Sequence, residues 1–180
     1  MKCMEQLSRD HRTIIKALDL LRYSALRSED ATEPVIREYC RLIDFLKTFA
    51  GVCHFAKEER ALFPKLMETE IQTDERMVAV MESEHDQARH LIEQMELAVA
   101  SHHPREFSFY AQKYSEHVES HIAKEENLVF ARASRILSPA DDEALIVRFD
   151  EIESKIALRR DLLDELSTTL GAGKTTTVSY

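Results

Sequence analysis

A ten-residue motif occurs twice in this chain, and no other feature restricts the fold as strongly. The copies span residues 54–63 and 121–130, 67 positions apart, and six of the ten aligned residues are identical. In each copy a glutamate, Glu58 or Glu125, follows the first histidine by four residues. Positions i and i+4 lie on one face of an α-helix. Each copy therefore predicts a helix that presents an imidazole and a carboxylate together, as half of a metal site.

The composition favours an all-α protein with a single core. Only three Gly and four Pro occur in 180 residues, which leaves little material for the turns of a β fold. The three cysteines, Cys3, Cys40 and Cys53, lack the CxxC spacing of a thiolate metal site. No run approaches the roughly 18 apolar residues of a transmembrane helix. We therefore expect a soluble, cytoplasmic protein.

The net charge disfavours two classes of partner. The chain carries −9 at pH 7, with a sequence pI near 5.4. Nucleic acids and anionic membranes attract proteins through an excess of basic groups. We expect neither partner.

Apolar residues at helical spacing predict a four-helix bundle in residues 1–137. Short connections make consecutive helices antiparallel, in an up-down-up-down order. Pro64 should bend or end the second helix, and the inner line of the fourth helix should continue from Glu125 to Leu128. The four helices are predicted over residues 4–27, 34–68, 73–101 and 105–136.

A further helix is predicted in residues 138–170. Ser138, Pro139 and Asp141 form an N-cap, a first-turn proline and an acidic first turn. The helix should either pack on the bundle or form the face of a homodimer, and residues 171–180 should be a flexible tail. Six residues form its apolar side: Leu145, Phe149, Ile152, Ile156, Leu163 and Leu166.

Each bundle helix brings a histidine to the same depth. At about 1.5 Å per residue, these histidines lie at similar distances from the helix ends. The inner lines of the second and fourth helices add Glu58 and Glu125. Burying this set with nothing bound would cost several kcal/mol for each unpaired carboxylate, so the layer predicts two divalent cations. The four histidines are His11, His54, His85 and His121.

The ligand types indicate the metal. Imidazole and carboxylate without thiolate suit iron or manganese better than structural zinc. We expect two iron ions, with manganese or zinc as alternatives. Six protein ligands cannot saturate two six-coordinate ions, so open positions remain for O₂, NO or water.

The order of these motifs resembles the hemerythrin-like family of HHE cation-binding domains. The resemblance covers about residues 5–132 and implies a four-helix bundle around a non-haem di-iron centre. It also implies that the four histidines are terminal ligands and that Glu58 and Glu125 are bridges. The matching segments are Asp-His11-Arg, His54-x-x-x-Glu58, Glu-His85-Asp and His121-x-x-x-Glu125.

One position separates this chain from oxygen carriers of that family, and His117 complicates the comparison. Those carriers have a further histidine one turn before the third-helix ligand, where this chain has Met81. A more open centre, similar to that of iron-sensing or iron–sulfur-repair relatives, is therefore favoured. His117 has three interpretations: a fifth ligand, a hydrogen-bonding neighbour of a ligand, or a residue at the bundle edge.

Other polar and aromatic residues near the layer have simpler interpretations. Glu59 and Glu126 are either surface residues or carboxylates that act beside the centre. Tyr110 and Tyr114 should lie in the core, and the alternative is that they donate to a bound ligand. Three further histidines should lie on the surface: His90, His102 and His103.

Three functions are compatible with the sequence. The first is a di-iron protein that binds or senses O₂, NO or iron. The second is an enzyme that uses the same centre for NO or peroxide turnover or for iron–sulfur cluster repair. The third is an interaction protein with a vestigial or zinc-filled site, which the intact six-residue set disfavours.

Overall fold

Every regular element that the structure describes is helical. The structure is a computed structural model, and it describes residues 1–68, 72–156 and 161–170. The all-α prediction is confirmed for these ranges. None of the helices within them is long and apolar enough to cross a membrane.

Four long helices begin and end within two residues of their predicted limits where the structure describes those limits. Helix α1 covers Lys2–Leu26, and α3 covers Gln72–Ala100. Helix α2 is continuous over residues 33–67, and α4 over residues 104–136.

Helices α2 and α4 alternate between α-helical and π-helical segments. In α2 the order is Glu33–Leu46, a π segment Lys47–His54, Phe55–Lys57, a π segment Glu58–Leu62 and Phe63–Met67. In α4 it is Pro104–Lys124, a π segment Glu125–Val129 and Phe130–Ile136. A π segment thus begins at each repeated glutamate, and π turns inside α-helices are frequent at functional sites.

These wide turns correct one prediction. Leu128 was expected on the inner line, but it is 57% exposed and Val129 is buried instead. The π turn adds a residue to its helical turn, which moves the inward position from 128 to 129. Pro64 does not end α2, which continues to Met67. The π segment before it relaxes the tight i−4 contact that a proline makes in a regular helix.

Neighbouring helices contact each other in opposite residue order. Between α1 and α4, His11 pairs with Glu126 and Arg22 with Glu119. Between α2 and α3, the Lys47–Glu96 pair lies towards the start of α2 and the Glu59–Arg89 pair towards its end. In both helix pairs, the residue number on one helix decreases as the residue number on the other increases.

The apolar core forms two clusters on either side of a polar layer. One surrounds Leu18, Leu46, Ile92 and Val118. The other surrounds Leu7, Leu62, Met81 and Val129. On each long helix a buried histidine lies between a residue of one cluster and a residue of the other.

Within residues 138–156 and 161–170 the structure has two helices, rather than the single one expected. Helix α5 covers Pro139–Ser154, and α6 covers Leu162–Leu170. Helix α5 contributes Leu145 and Phe149 to the cluster around Leu7, whereas α6 contributes Leu163 and Leu166 to the cluster around Leu18. The apolar residues assigned to one predicted helix thus pack in two separate clusters. A single straight helix would not reach both clusters. The predicted tail, residues 171–180, lies outside the described residues.

Candidate metal centre

The six residues singled out by the sequence meet in the layer between the two core clusters. Helices α1 and α3 each supply one histidine, and α2 and α4 each supply one histidine and one glutamate. All six are buried. Their role as metal ligands stays a prediction, but the structure brings all of them together: His11, His54, Glu58, His85, His121 and Glu125.

The candidate ligand atoms form two groups that share both glutamates. Within each group, one nitrogen or oxygen from every member lies within 4.8 Å of the others. Each group therefore has the composition of one metal position with two imidazoles and two carboxylates. The first group adds His11 and His54 to the glutamates, and the second adds His85 and His121.

Both glutamates contact histidines of both groups. Glu58 Oε1 lies 3.3 Å from His54 Nε2, and its Oε2 lies 3.3 Å from His85 Nε2. Glu125 Oε2 lies 3.1 Å from His11 Nε2 and 3.4 Å from His121 Nε2. In each pair the histidine uses Nε2, so all four rings point this nitrogen at the shared carboxylates.

Two further carboxylates orient histidines across helix boundaries. His11 donates its Nδ1–H to Glu126 Oε1 at 3.0 Å, and His85 donates its Nδ1–H to Glu59 Oε1 at 2.8 Å. Of the two interpretations considered for Glu59 and Glu126, the geometry favours carboxylates beside the centre. Histidines that bind metals commonly donate their other N–H to such a group.

Sequence reasoning missed two further acidic residues near the rings, of which Glu84 accepts such a hydrogen bond and Asp10 only lies close to a ring nitrogen. His121 donates its Nδ1–H to Glu84 Oε2 at 3.0 Å. Asp10 Oδ2 lies 3.6 Å from His54 Nδ1. Asp10 and Glu84 directly precede the histidines of α1 and α3, yet each serves the histidine of a neighbouring helix. In the sequence, only their position next to the predicted ligands pointed to these two residues. The packing of the helices is needed to show which imidazole ring each carboxylate approaches.

Lys57 connects one of these carboxylates to helix α5. Its side chain is 0% exposed, and its Nζ lies 2.7 Å from Asp10 Oδ2 and 2.8 Å from Glu153 Oε2. Lys124 occupies the equivalent position of the second motif copy and pairs with Glu84, but it is 43% exposed. The two halves of the centre therefore differ in how deeply their lysine is buried.

Without metal, protons balance the buried carboxylates. Burial alone lowers the pKa of His11 and of His85, but Glu125 beside His11 and Glu58 beside His85 outweigh it, and each pKa rises to about 9. Burial lowers the pKa of His121. A neutral His121 accepts from His85 Nε2 at 3.0 Å. Burial raises the pKa of Glu58, but the histidines around it, His54 first, outweigh this and hold it well below its usual value.

Among the described residues, several buried polar atoms at the centre have no hydrogen-bond partner. They are His54 Nδ1, His54 Nε2, Glu58 Oε1, Glu58 Oε2 and Glu125 Oε1. A buried polar atom without a partner costs free energy. All but one of them, His54 Nδ1, belong to the nitrogen and oxygen atoms that face the shared centre. The donor set therefore fits divalent cations that accept imidazole nitrogen and carboxylate oxygen.

The remaining sequence candidates lie outside the two groups. His117 Nε2 donates to the backbone oxygen of Glu84 at 2.8 Å, which favours the hydrogen-bonding interpretation over a fifth ligand. Met81 lies in the apolar cluster around Leu7. His90 and His103 have exposed side chains, as expected.

Comparison with known proteins gives one match. The model of the hemerythrin HHE cation binding domain matches residues 4–133, which is well over half of the chain. No curated protein and no solved structure matches it. The matched segment contains all six residues of the two groups. The chain therefore belongs to the hemerythrin HHE cation-binding domain family.

Proposed function

We propose that the chain holds two iron ions in this layer and uses them to bind or sense O₂, NO or iron. One observation carries the proposal: two groups of buried ligand atoms share Glu58 and Glu125. The absence of a thiolate from both groups supports iron over structural zinc. Iron would supply a redox-active cation with positions open to a small ligand.

The proposal includes the arrangement of the helices. Residues 1–137 form an up-down-up-down four-helix bundle, with residues 138–170 packed on its side. The opposite residue order of the pairs between α1 and α4 and between α2 and α3 supports this topology. The contribution of α5 and α6 to the two apolar clusters supports the packing of the C-terminal segment.

The protein's own groups would hold and shield the centre. The carboxylates that accept an Nδ1–H from His11, His85 or His121 would fix the orientation of these rings, which aims their Nε2 atoms inward. Aromatic rings cover two of these histidines: Phe55 and Phe63 stack on His85, with centroids 3.8 and 5.8 Å away, and Phe130 stacks on His11 at 5.6 Å. These apolar faces exclude water from the imidazoles.

Rapid mixing of the reduced, iron-loaded protein with O₂ or NO tests this function. We expect an absorption change that reaches one adduct per centre and reverses when the gas is removed. His85→Ala should abolish the change. His90→Ala is the matched control, because this histidine lies exposed on the same helix and should leave the change intact. An iron-loaded protein that responds to neither gas, or that consumes either one over many turnovers, would contradict gas binding or sensing.

A further inference from the structure

A cavity of about 190 Å³ lies beside the His85 half of the centre. Helix α2 supplies one wall, α3 another, and Tyr114 of α4 also lines it. The lining is predominantly apolar, with Leu46, Val52, Phe55, Ala88 and Ile92, and it also includes three partly exposed charged residues, Lys47, Arg89 and Glu93. An apolar cavity of roughly 150 Å³ in another protein accommodates benzene. This one is therefore large enough for a substituted ring.

Tyr114 provides one polar group in the lining. The residue is only 1% exposed, and among the described residues its hydroxyl has no hydrogen-bond partner. Burial raises its pKa well above the ordinary value, so the hydroxyl keeps its proton. A buried tyrosine hydroxyl usually finds a partner. Here the cavity is the place where a ligand would provide one.

Gly51 keeps part of this cavity open. It belongs to the π segment Lys47–His54, and a Cβ atom built on it meets nothing within 4 Å. A Cβ atom at this position would therefore lie in open space. Glycine is also a poor helix former, so its presence in a helix has a cost in stability. The open space beside Gly51 offers a functional reason for keeping a glycine in this helix.

Two residues connect the cavity lining to the candidate metal centre. The ring of Phe55 stacks on His85 with centroids 3.8 Å apart and an interplanar angle of 9°. Arg89 donates to Glu59 Oε1 at 2.5 Å, and this oxygen accepts the Nδ1–H of His85. A molecule in the cavity would therefore contact two groups that fix the position of His85.

We propose that this cavity binds a small, mainly apolar molecule about the size of a monosubstituted benzene, with one hydrogen-bond acceptor for the hydroxyl of Tyr114. The walls take the apolar body, and the hydroxyl selects molecules that carry a carbonyl or ether oxygen. This binding does not depend on the proposed iron centre. Only its effect on His85 in the iron-loaded protein does.

A matched pair of probes tests the site. Acetophenone has the required ring and carbonyl, and ethylbenzene has nearly the same shape without the acceptor. Calorimetric titration of the full chain, metal-free and iron-loaded, should give one acetophenone site per chain in both forms. Ethylbenzene should bind roughly fivefold more weakly, the worth of one hydrogen bond. Lack of saturable acetophenone binding, or equal binding of the two probes, would overturn the proposal.

Variants assign the binding to this cavity. Tyr114→Phe should remove the preference for acetophenone, whereas the control Tyr110→Phe, which changes a residue outside the lining, should keep it. Gly51→Leu should fill the space and abolish binding of both probes. Leucine is a better helix former than glycine, so this variant should fold. Wild-type binding by Gly51→Leu, or a preference that survives Tyr114→Phe, would overturn the proposal.

An iron-loaded titration then reports on the coupling to His85. Acetophenone should change the absorption of the centre over the same concentration range in which it binds. If acetophenone binds the metal-free protein and the iron fails to load, the cavity proposal stands and the proposed function fails. If iron loads and neither form binds the probe, the cavity proposal fails while the proposed iron site stands.

Discussion

Lys57 and Glu153 form an ion pair that joins the buried layer to helix α5, with Nζ 2.8 Å from Oε2. On its other side the same Nζ lies 2.7 Å from Oδ2 of Asp10, which faces His54. Two side chains, those of Lys57 and Asp10, therefore connect partly exposed Glu153 to His54, a candidate ligand. Helix α5 lies outside the predicted bundle, yet these contacts join it to the centre.

Lys57→Met should destabilise the metal-free protein strongly. Removing one partner of a buried ion pair leaves the other charge uncompensated, which costs about 3–5 kcal/mol. The orientation of His54 should also loosen, so that iron is lost faster from the protein. Urea unfolding and iron retention during dialysis against a chelator measure the two effects.

Lys124→Met is the matched control for that experiment. Lys124 holds the equivalent place in the second motif copy, but it is 43% exposed and pairs with Glu84, which is 14% exposed. Exposed ion pairs contribute less than about 1 kcal/mol, so this variant should unfold nearly like the wild type. Equal destabilisation by the two substitutions would contradict the role assigned to burial and to Glu153.

The carboxylates of Glu59 and Glu126 should strengthen metal binding although they are not candidate ligands. Glu59→Gln and Glu126→Gln keep the size of the side chain but weaken the hydrogen bond from Nδ1 of His85 and of His11. Loss of such partners lowers metal affinity by roughly 10–100-fold. Competition with a chromogenic chelator measures the change. The control is Glu116→Gln, an exposed residue of α4, and an effect of this control as large as the others would exclude the orienting role.

Protons and metal should compete for the layer. Because the pKa of His11 and of His85 is raised to about 9 from 6.5, their charged forms stabilise the metal-free fold fully below pH 6.5. That stabilisation is lost as pH rises through about 9. The free energy of unfolding of the metal-free protein should therefore fall between these values, while metal affinity rises.

Two titrations check the pH dependence. Calorimetry of metal uptake at pH 7 in buffers of different ionisation enthalpy should show proton release, because ligand histidines must lose a proton. Urea unfolding of the metal-free protein should give a lower midpoint at pH 9 than at pH 6.5. Metal uptake without proton release would show that the histidines are already neutral.

Helix α5 should depend on its N-cap. Ser138 Oγ accepts the backbone N–H of Asp141 at 3.2 Å, and the Asp141 carboxylate accepts the backbone N–H of Ser138 at 2.9 Å. Ser138→Ala should cost about 1 kcal/mol of stability. Ser134→Ala is the control, because the Ser134 hydroxyl donates to the backbone oxygen of Phe130 in its own helix and caps no helix end. Equal unfolding midpoints for both variants would contradict the cap.

Periodicity and spacing were sufficient to predict the long helices and the six buried residues of the layer. Each depends on local rules: helical spacing gives the buried face, and the distance of His11 or His85 from a helix end gives its depth. The repeated motif predicted that two of the four helices each present a histidine and a glutamate on one face. These relations hold along one helix at a time, so a sequence alone reveals them.

Relations between helices were not predictable in the same way. The π turns at Glu58 and Glu125 change the register by one residue, which moved Leu128 outward, and no residue type signals them. Asp10 serves a histidine on another helix, so its partner depends on packing. The end of α5 after Ser154 likewise follows from the division of apolar residues between two clusters.

Iron content of purified protein tests the central claim most directly. After expression in iron-replete cells, the wild-type chain should contain two iron ions, because two groups of ligand atoms share the glutamates. Glu58→Ala and Glu125→Ala should each lower the content, and the double variant should hold almost none. Less than one iron per wild-type chain, or full occupancy in the double variant, would contradict a shared di-iron centre.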